Sequence, residues 1–193
     1  MELFINRKER IILTAIEIIS ELGFQGLSTK EITKRQGISD GTLYKHFKSK
    51  NDIILGVLDF YSKFDESIKE SIEISKLSAK DSIKFFTRML AEYYENYPAI
   101  TALTVIQETL EHEEYISEKS RQIFEDRFKL IMHYIEKGIK SGELRSDIDS
   151  EALTDIILGS VGEIIIKWRL SKFGFPLKEK IMKTLEMILS VFE

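Results

Sequence analysis

Two serines, Ser28 and Ser39, each stand directly before a short run with helical spacing, and Gly37 lies between the runs in "LSTKEITKRQGISDGTLYKHF", residues 27–47. A serine in that place accepts a backbone N–H that the helix itself leaves without a carbonyl. Ser28 and Glu31 have capping-box spacing, and Leu27 with Ile32 brackets them as a hydrophobic staple. Ile38 with Leu43 repeats the staple around the second cap, and Gly37 takes the left-handed conformation that ends the first helix. Two short helices joined by so tight a turn form a helix-turn-helix pattern.

The flanks extend it. Ile12, Ala15, Ile16, Ile19 and Leu22 predict a helix that Gly23 stops. Ser49 and Asp52 open a long fourth helix reaching about Ser71. Residues 79–97 predict an amphipathic helix ending before Pro98, 98–110 a shorter one, and 113–141 a long one ending at Gly142. Helices over 150–172 and 177–192 follow, with "FGFP" between them. Only two prolines interrupt 193 residues, and no stretch alternates as a strand does, so an all-α chain is expected. The boundary falls within the fourth helix, giving a small domain at 1–50 and a larger helical one at 51–193.

The chain carries a formal charge of −4, but its first 50 residues hold nine Lys/Arg against six Asp/Glu. A basic end on an acidic body suits an anion-binding module joined to something else. The chain has no cysteine, which excludes disulfides and thiolate metal sites and points to a reducing, cytoplasmic setting. The start lacks the order of a signal peptide, and the run "IILGSVGEIII" is far short of the roughly 20 residues a membrane helix needs. A soluble protein without membrane association is expected.

On a helical wheel Leu43 and Phe47 share one face of the third helix, directed at Ile12, Ile16 and Ile32, while Gly41, Thr42 and Lys45 share the opposite one. A helix presented so fits the major groove of DNA. Gly41 lets backbone approach closely, Thr42 offers a hydroxyl and a methyl, and Lys45 reaches a guanine acceptor or a phosphate. Tyr44 and His46 flank that face. Helix starts after Ser28 and Ser49 make anion sites reinforced by Lys30, Lys48 and Lys50. With Thr29 at the first of these starts, and Ser39 and Asp40 at the start of the third helix, these residues are the candidate DNA contacts.

The string Gly37–Lys50, "GISDGTLYKHFKSK", closely resembles the DNA-binding signature of the TetR family of bacterial regulators, and the wider likeness covers about residues 7–56. Thr33 departs from it, standing where the family usually has Ala at the helix crossing. The resemblance implies a homeodomain-like three-helix head on a larger helical body for ligand binding and dimerisation. It further implies a homodimer on a pseudo-palindromic double-stranded DNA operator, and a small-molecule effector whose binding in the body usually releases DNA.

The body adds two features. The helix at 150–172 is apolar nearly all round, with the small residues Gly159, Ser160 and Gly162 inviting a close neighbour. Pattern alone reads it equally as internal core or dimer seam; the resemblance favours the seam, with Ile157, Ser160, Val161, Ile164, Ile181, Leu185 and Ile188 as the interface. Aromatics and methionines gather in the middle of the chain. Phe85, Phe86, Met89 and Tyr93, with Leu103 and Ile106, then Phe124, Phe128 and Trp168, are candidate lining for a lipophilic effector. The same stripes describe ordinary core. Glu92, Glu108 and Glu111 read as solvated surface, or as a cationic ligand's partners if buried. His112 and His133 lack a partner at ligand spacing, so neither metal nor cofactor is expected.

The chain thus reads as a transcriptional regulator, more as a repressor than an activator. A DNA-binding adaptor whose body docks a protein is the alternative. An enzyme ranks last, since the chain offers only three His, no Cys, no phosphate loop and no paired acid/base motif.

Overall fold

The computed structural model describes residues 6–104 and 114–192, and every regular element among them is helical. The helices are α1 Arg7–Gly26, α2 Thr29–Gln36, α3 Asp40–Tyr44, α4 Lys50–Ser75, α5 Ala79–Asn96, a 3-10 helix Pro98–Thr104, α6 Glu114–Ser141, α7 Ser150–Leu170 and α8 Leu177–Val191. They divide into two compact units, residues 1–63 with 99–121, and residues 64–98 with 122–193.

In the first unit α1 opens on a reciprocal cap: Asn6 Oδ1 accepts the Glu9 N–H (3.0 Å) and the Glu9 carboxylate accepts the Asn6 N–H (3.1 Å). Its run of Ile11, Ile12, Ala15, Ile16, Ile18 and Ile19 is buried. Gly23, at φ 72° and ψ 176°, breaks the helix as its sequence position predicts, and one further turn carries the chain to Gly26. Leu27 and Ile32, the staple, are both buried, and Gly37 ends α2 in the left-handed region at φ 60°. The Gln36 amide donates to the Thr14 hydroxyl and Arg35 pairs with Glu21 at 2.9 Å, fastening α2 to α1. Leu43 and Phe47 are buried, with Ile38 half-buried above them. Gly56 of α4 lies under this layer: a Cβ there would come within 3.0 Å of the Phe47 ring and 3.4 Å of Ile12. Its hydrogen lets the helices close together.

In the second unit α5 packs on α8, and α8 on α7. Distant carboxylates complete two helix starts. Glu143, just past α6, accepts the N–H groups of Ala79 (3.2 Å) and Lys80 (3.0 Å) at the head of α5. Pro176 offers α8 no side-chain cap, and Glu95 accepts the Leu177 N–H at 2.7 Å. Between α7 and α8, Lys172 and Phe173 both take positive φ (53° and 64°). The tight turn lets Trp168 donate to the Phe175 carbonyl at 2.8 Å and meet the Phe173 ring edge-on.

Expected boundaries shift in places. α4 continues to Ser75, because Ile68 and Ile72 keep its buried stripe going. The segment expected as a helix over 98–110 begins as a 3-10 helix, and its remainder lies outside the described residues.

Candidate nucleic-acid interface

The recognition segment is built by its caps. Ser39 Oγ accepts the Thr42 N–H at 3.2 Å and lies 3.0 Å from Thr42 Oγ1, fixing the first turn of α3. Regular α-helix spans only Asp40–Tyr44, two residues short of the expected 40–46. Helical hydrogen bonding persists beyond it, with the His46 and Phe47 N–H groups both on the Leu43 carbonyl (2.9 and 3.0 Å). Leu43 and Phe47 therefore face inward together, as the wheel requires, and Gly41, Tyr44, Lys45 and His46 stay exposed with Thr42 half-exposed. Tyr44, flanking this face, is 48% exposed.

Two further helix starts flank it. At α2, Ser28 Oγ accepts the Glu31 N–H at 3.2 Å, with Thr29 half-exposed and Lys30 exposed. The capping box expected there is half made, since the Glu31 carboxylate turns to Arg35 Nε at 2.9 Å. The Arg35 hydrogen bond holds the Glu31 carboxyl below its ordinary range. At α4, Ser49 Oγ accepts the Asp52 N–H at 3.1 Å and Asp52 accepts the Lys48 N–H at 2.8 Å. Lys48 is exposed; Lys50 is half-buried, its ammonium 5.0 Å from the Phe24 ring centre. Thr33, at the helix crossing, is buried and returns its hydroxyl to the Lys30 carbonyl at 3.1 Å, so the departure from Ala brings no orphaned polar atom.

The body candidates scatter. Phe86 and Trp168 are buried core, Phe85, Met89, Tyr93 and Phe128 are half-buried, and Phe124 is exposed. Ile106 and the Leu103 side chain lie outside the described residues, as do Glu108, Glu111 and His112. Glu92 is half-buried and paired with Lys178 at 3.2 Å. Of the candidate dimer residues, Ile157, Val161, Ile164, Ile181, Leu185 and Ile188 are buried within this single chain and Ser160 is half-buried. The apolar side chains of α7 and α8 that remain open are Ile156, Ile166, Leu170, Met187 and Val191. Gly159 and Gly162 also face empty space.

One polar constellation escaped sequence reasoning. Arg127 of α6 donates through Nε and Nη2 to both oxygens of Asp65 on α4, and through Nη1 to the Tyr94 hydroxyl of α5 at 3.1 Å. The signal was present: Arg127 stands four residues after Ile123 and four before Ile131, both buried, where helical spacing calls for an apolar side chain. Among the described residues no group of three His, Asp or Glu side chains is placed to hold a metal ion, and no helix is long and apolar enough to cross a membrane.

Comparison with known proteins agrees with this layout. A sequence model of bacterial regulatory proteins of the tetR family matches residues 11–57, and one of the tetracyclin repressor-like C-terminal domain matches residues 58–187. The fatty acid metabolism regulator protein of Bacillus subtilis (strain 168) is 26% identical over 186 residues, spanning 94% of this chain and 93% of that protein. The nucleoid occlusion factor SlmA of Vibrio cholerae is 26% identical over 176 residues, 89% and 88% of the two chains. Among solved structures, the transcriptional regulator FadR from Bacillus subtilis in complex with stearoyl-CoA superposes with a TM-score of 0.80 at 24% identity, over 95% of this chain and 98% of the other. With the capped helix-turn-helix matched over residues 11–57 and the helical body over 58–187, this chain belongs to the TetR family of bacterial transcriptional regulators.

Proposed function

We infer that this DNA-binding regulator is a cytoplasmic repressor that holds a pseudo-palindromic operator as a homodimer and leaves it when a long-chain acyl compound enters its body. The observation that carries the DNA half is the exposed face of Gly41, Thr42, Tyr44 and Lys45, backed by buried Leu43 and Phe47. Lys30 and Lys48, at capped helix starts, supply phosphate contacts beside it. Residues 1–50 act as the DNA-binding domain, and 51–193 as the domain for effector and partner copy. The acyl half is supported by the likeness to a fatty acid metabolism regulator and, in fold, to a regulator solved with stearoyl-CoA.

For the dimer, the outward stripe of α7 fits a second copy. Ile156, Gly159, Ile166 and Leu170 recur at helical spacing, and the open glycines let a partner helix approach closely. Ile157, Val161 and Ile164 support that stripe from within, as do Ile181, Leu185 and Ile188 of α8. In the switching step α4, which contributes residues to both units, shifts when the effector binds and carries the recognition segment out of register. The effector must favour the shifted state, since equal affinity for both states moves nothing.

The test is fluorescence anisotropy on a DNA fragment from upstream of the protein's own gene, with stearoyl-CoA titrated in. Binding that weakens steeply with salt, and release by stearoyl-CoA but not by CoA, is the expected result. Retention on DNA at saturating stearoyl-CoA overturns the effector half alone; absence of sequence-selective binding overturns the whole. The likeness to a nucleoid occlusion factor favours a second reading, a DNA-bound adaptor that docks a protein. Stearoyl-CoA then leaves DNA affinity unchanged.

A further inference from the structure

Three positions of the second unit carry polar groups where apolar ones would pack. Asp65 stands three residues before Ile68 and seven before Ile72, on the buried stripe of α4. Arg127 occupies the equivalent place on α6, and Tyr94 on α5 is 1% exposed. They meet in one cluster, with the Asp65 and Arg127 side chains only 16% and 14% exposed. As a fastening this is a poor choice. Taking both charges out of water costs about what their attraction returns, and apolar side chains of similar size hold helices as well or better.

The surroundings suggest another use. Phe64 stacks on Tyr93 with centroids 3.9 Å apart, and Tyr97 leans on Tyr93 at 5.5 Å. Tyr97 and Phe124 remain 58% and 53% exposed, and Phe124 lies one helical turn before Arg127. The Tyr93 ring in turn lies 6.2 Å from that of Tyr94, so this aromatic group adjoins the buried polar cluster, the pairing of apolar and polar groups that an amphiphile needs. The guanidinium is a fork suited to a carboxylate or carbonyl oxygen, and the Tyr94 hydroxyl sits beside it at 3.1 Å. Burial raises the Asp65 carboxyl above its ordinary value, outweighing the pull of Arg127, and the charges of Glu66 and Asp126 add to the rise. The two Asp65 oxygens take the same Nε and Nη2 donors that the carboxylate or carbonyl of a ligand would need, so the two compete for one fork.

We propose that Arg127, with the Tyr94 hydroxyl, binds the carbonyl head of the effector, an acyl chain ending in a carboxylate or a thioester, and that Asp65 occupies this seat until the head displaces it. The assignment rests on the acyl-effector reading above and names the residue that reads the ligand. Displacement also unties α4 from α6 within the body, since Asp65 and Arg127 are the two ends of that tie.

The experiment is calorimetric titration of the full-length protein and its variants with palmitate below its micelle concentration, palmitoyl-CoA, and CoA alone. Asp65→Asn removes the competitor and leaves the fork, so acyl affinity rises several-fold. Arg127→Met removes the fork, and affinity falls about tenfold or more, as for a lost charge-assisted hydrogen bond. Because Arg127→Met alone orphans a buried carboxylate, the double variant Asp65→Leu/Arg127→Met, with no charge left behind, is measured too. It is expected to melt near the wild type yet bind as weakly as Arg127→Met. If palmitate alone responds, the head is a free carboxylate; if palmitoyl-CoA alone responds, a thioester. Affinities that move in the same direction in Asp65→Asn and Arg127→Met, or in neither, overturn the assignment while leaving the acyl reading intact. A wild type that binds neither palmitate nor palmitoyl-CoA overturns both.

Discussion

Lys45 is exposed beside Thr42, whose hydroxyl is already held by the Ser39 cap. In the proposed DNA interface Thr42 is therefore a fixed side chain and Lys45 a movable charge. Lys45→Ala is expected to weaken operator binding about tenfold and to flatten the plot of log affinity against log salt by about one unit, the share of one phosphate contact. Anisotropy titrations at several salt concentrations check both numbers; an unchanged slope would place Lys45 away from the backbone. A second residue-level outcome concerns Lys172, which holds φ at 53° without the freedom of glycine. Left-handed geometry costs an ordinary residue about 1–2 kcal/mol, part of which a more flexible chain gives back on unfolding. Lys172→Gly should then raise stability by about 0.5 kcal/mol in urea denaturation.

Helix starts divide into two kinds, and the division explains what the sequence discloses. Local caps such as Ser28, Ser39, Ser49 and Ser78 act within three residues, so their spacing is visible in the chain, and the structure makes each of them. Glu143 caps α5 from 64 residues away and Glu95 caps α8 across 82, pairings that only the packed body creates. The Asp65–Arg127 pair was overlooked for a related reason: charged residues read as surface until their place on an apolar stripe is counted. The long-range caps give a test at this scale. Burial alone would raise the Glu143 carboxyl, but the N–H groups of Lys80 and Ala79 and the Ser141 hydroxyl lower it further than burial lifts it. A carboxyl lowered on folding stabilises above its unfolded range and loses that contribution as pH falls through its folded value. Glu143→Gln should lower the melting temperature by about 2 °C near neutrality. The gap from wild type should begin to narrow below about pH 4, where unfolded carboxyls take protons, and close once pH has fallen through the lowered folded value. A gap constant with pH would mean the cap works without its charge.

For the molecule as a unit, helicity, the head and the family follow from spacing, caps and the Gly37–Lys50 string, whereas the apolar surface that folding leaves open does not. Periodicity marks Ile157, Val161 and Ile164 as apolar but cannot tell which apolar face of an all-round hydrophobic helix its own chain consumes. Folding consumes that face and leaves Ile156 and Ile166 outside. Ile156→Glu/Ile166→Glu is expected to give a folded monomer in sedimentation equilibrium, with operator affinity lowered by at least tenfold because two half-sites are no longer linked. A dimer that survives both glutamates would move the seam elsewhere. The missing methyl at Gly56 carries a last consequence. Alanine there improves helix propensity by about 1 kcal/mol, yet its new carbon must wedge against the Phe47 ring that backs the recognition segment. That gain offsets part of the roughly 1–3 kcal/mol that overpacking costs, so the variant should melt only modestly below the parent while losing grip on its operator, behaving as a permanently induced allele with no inducer present.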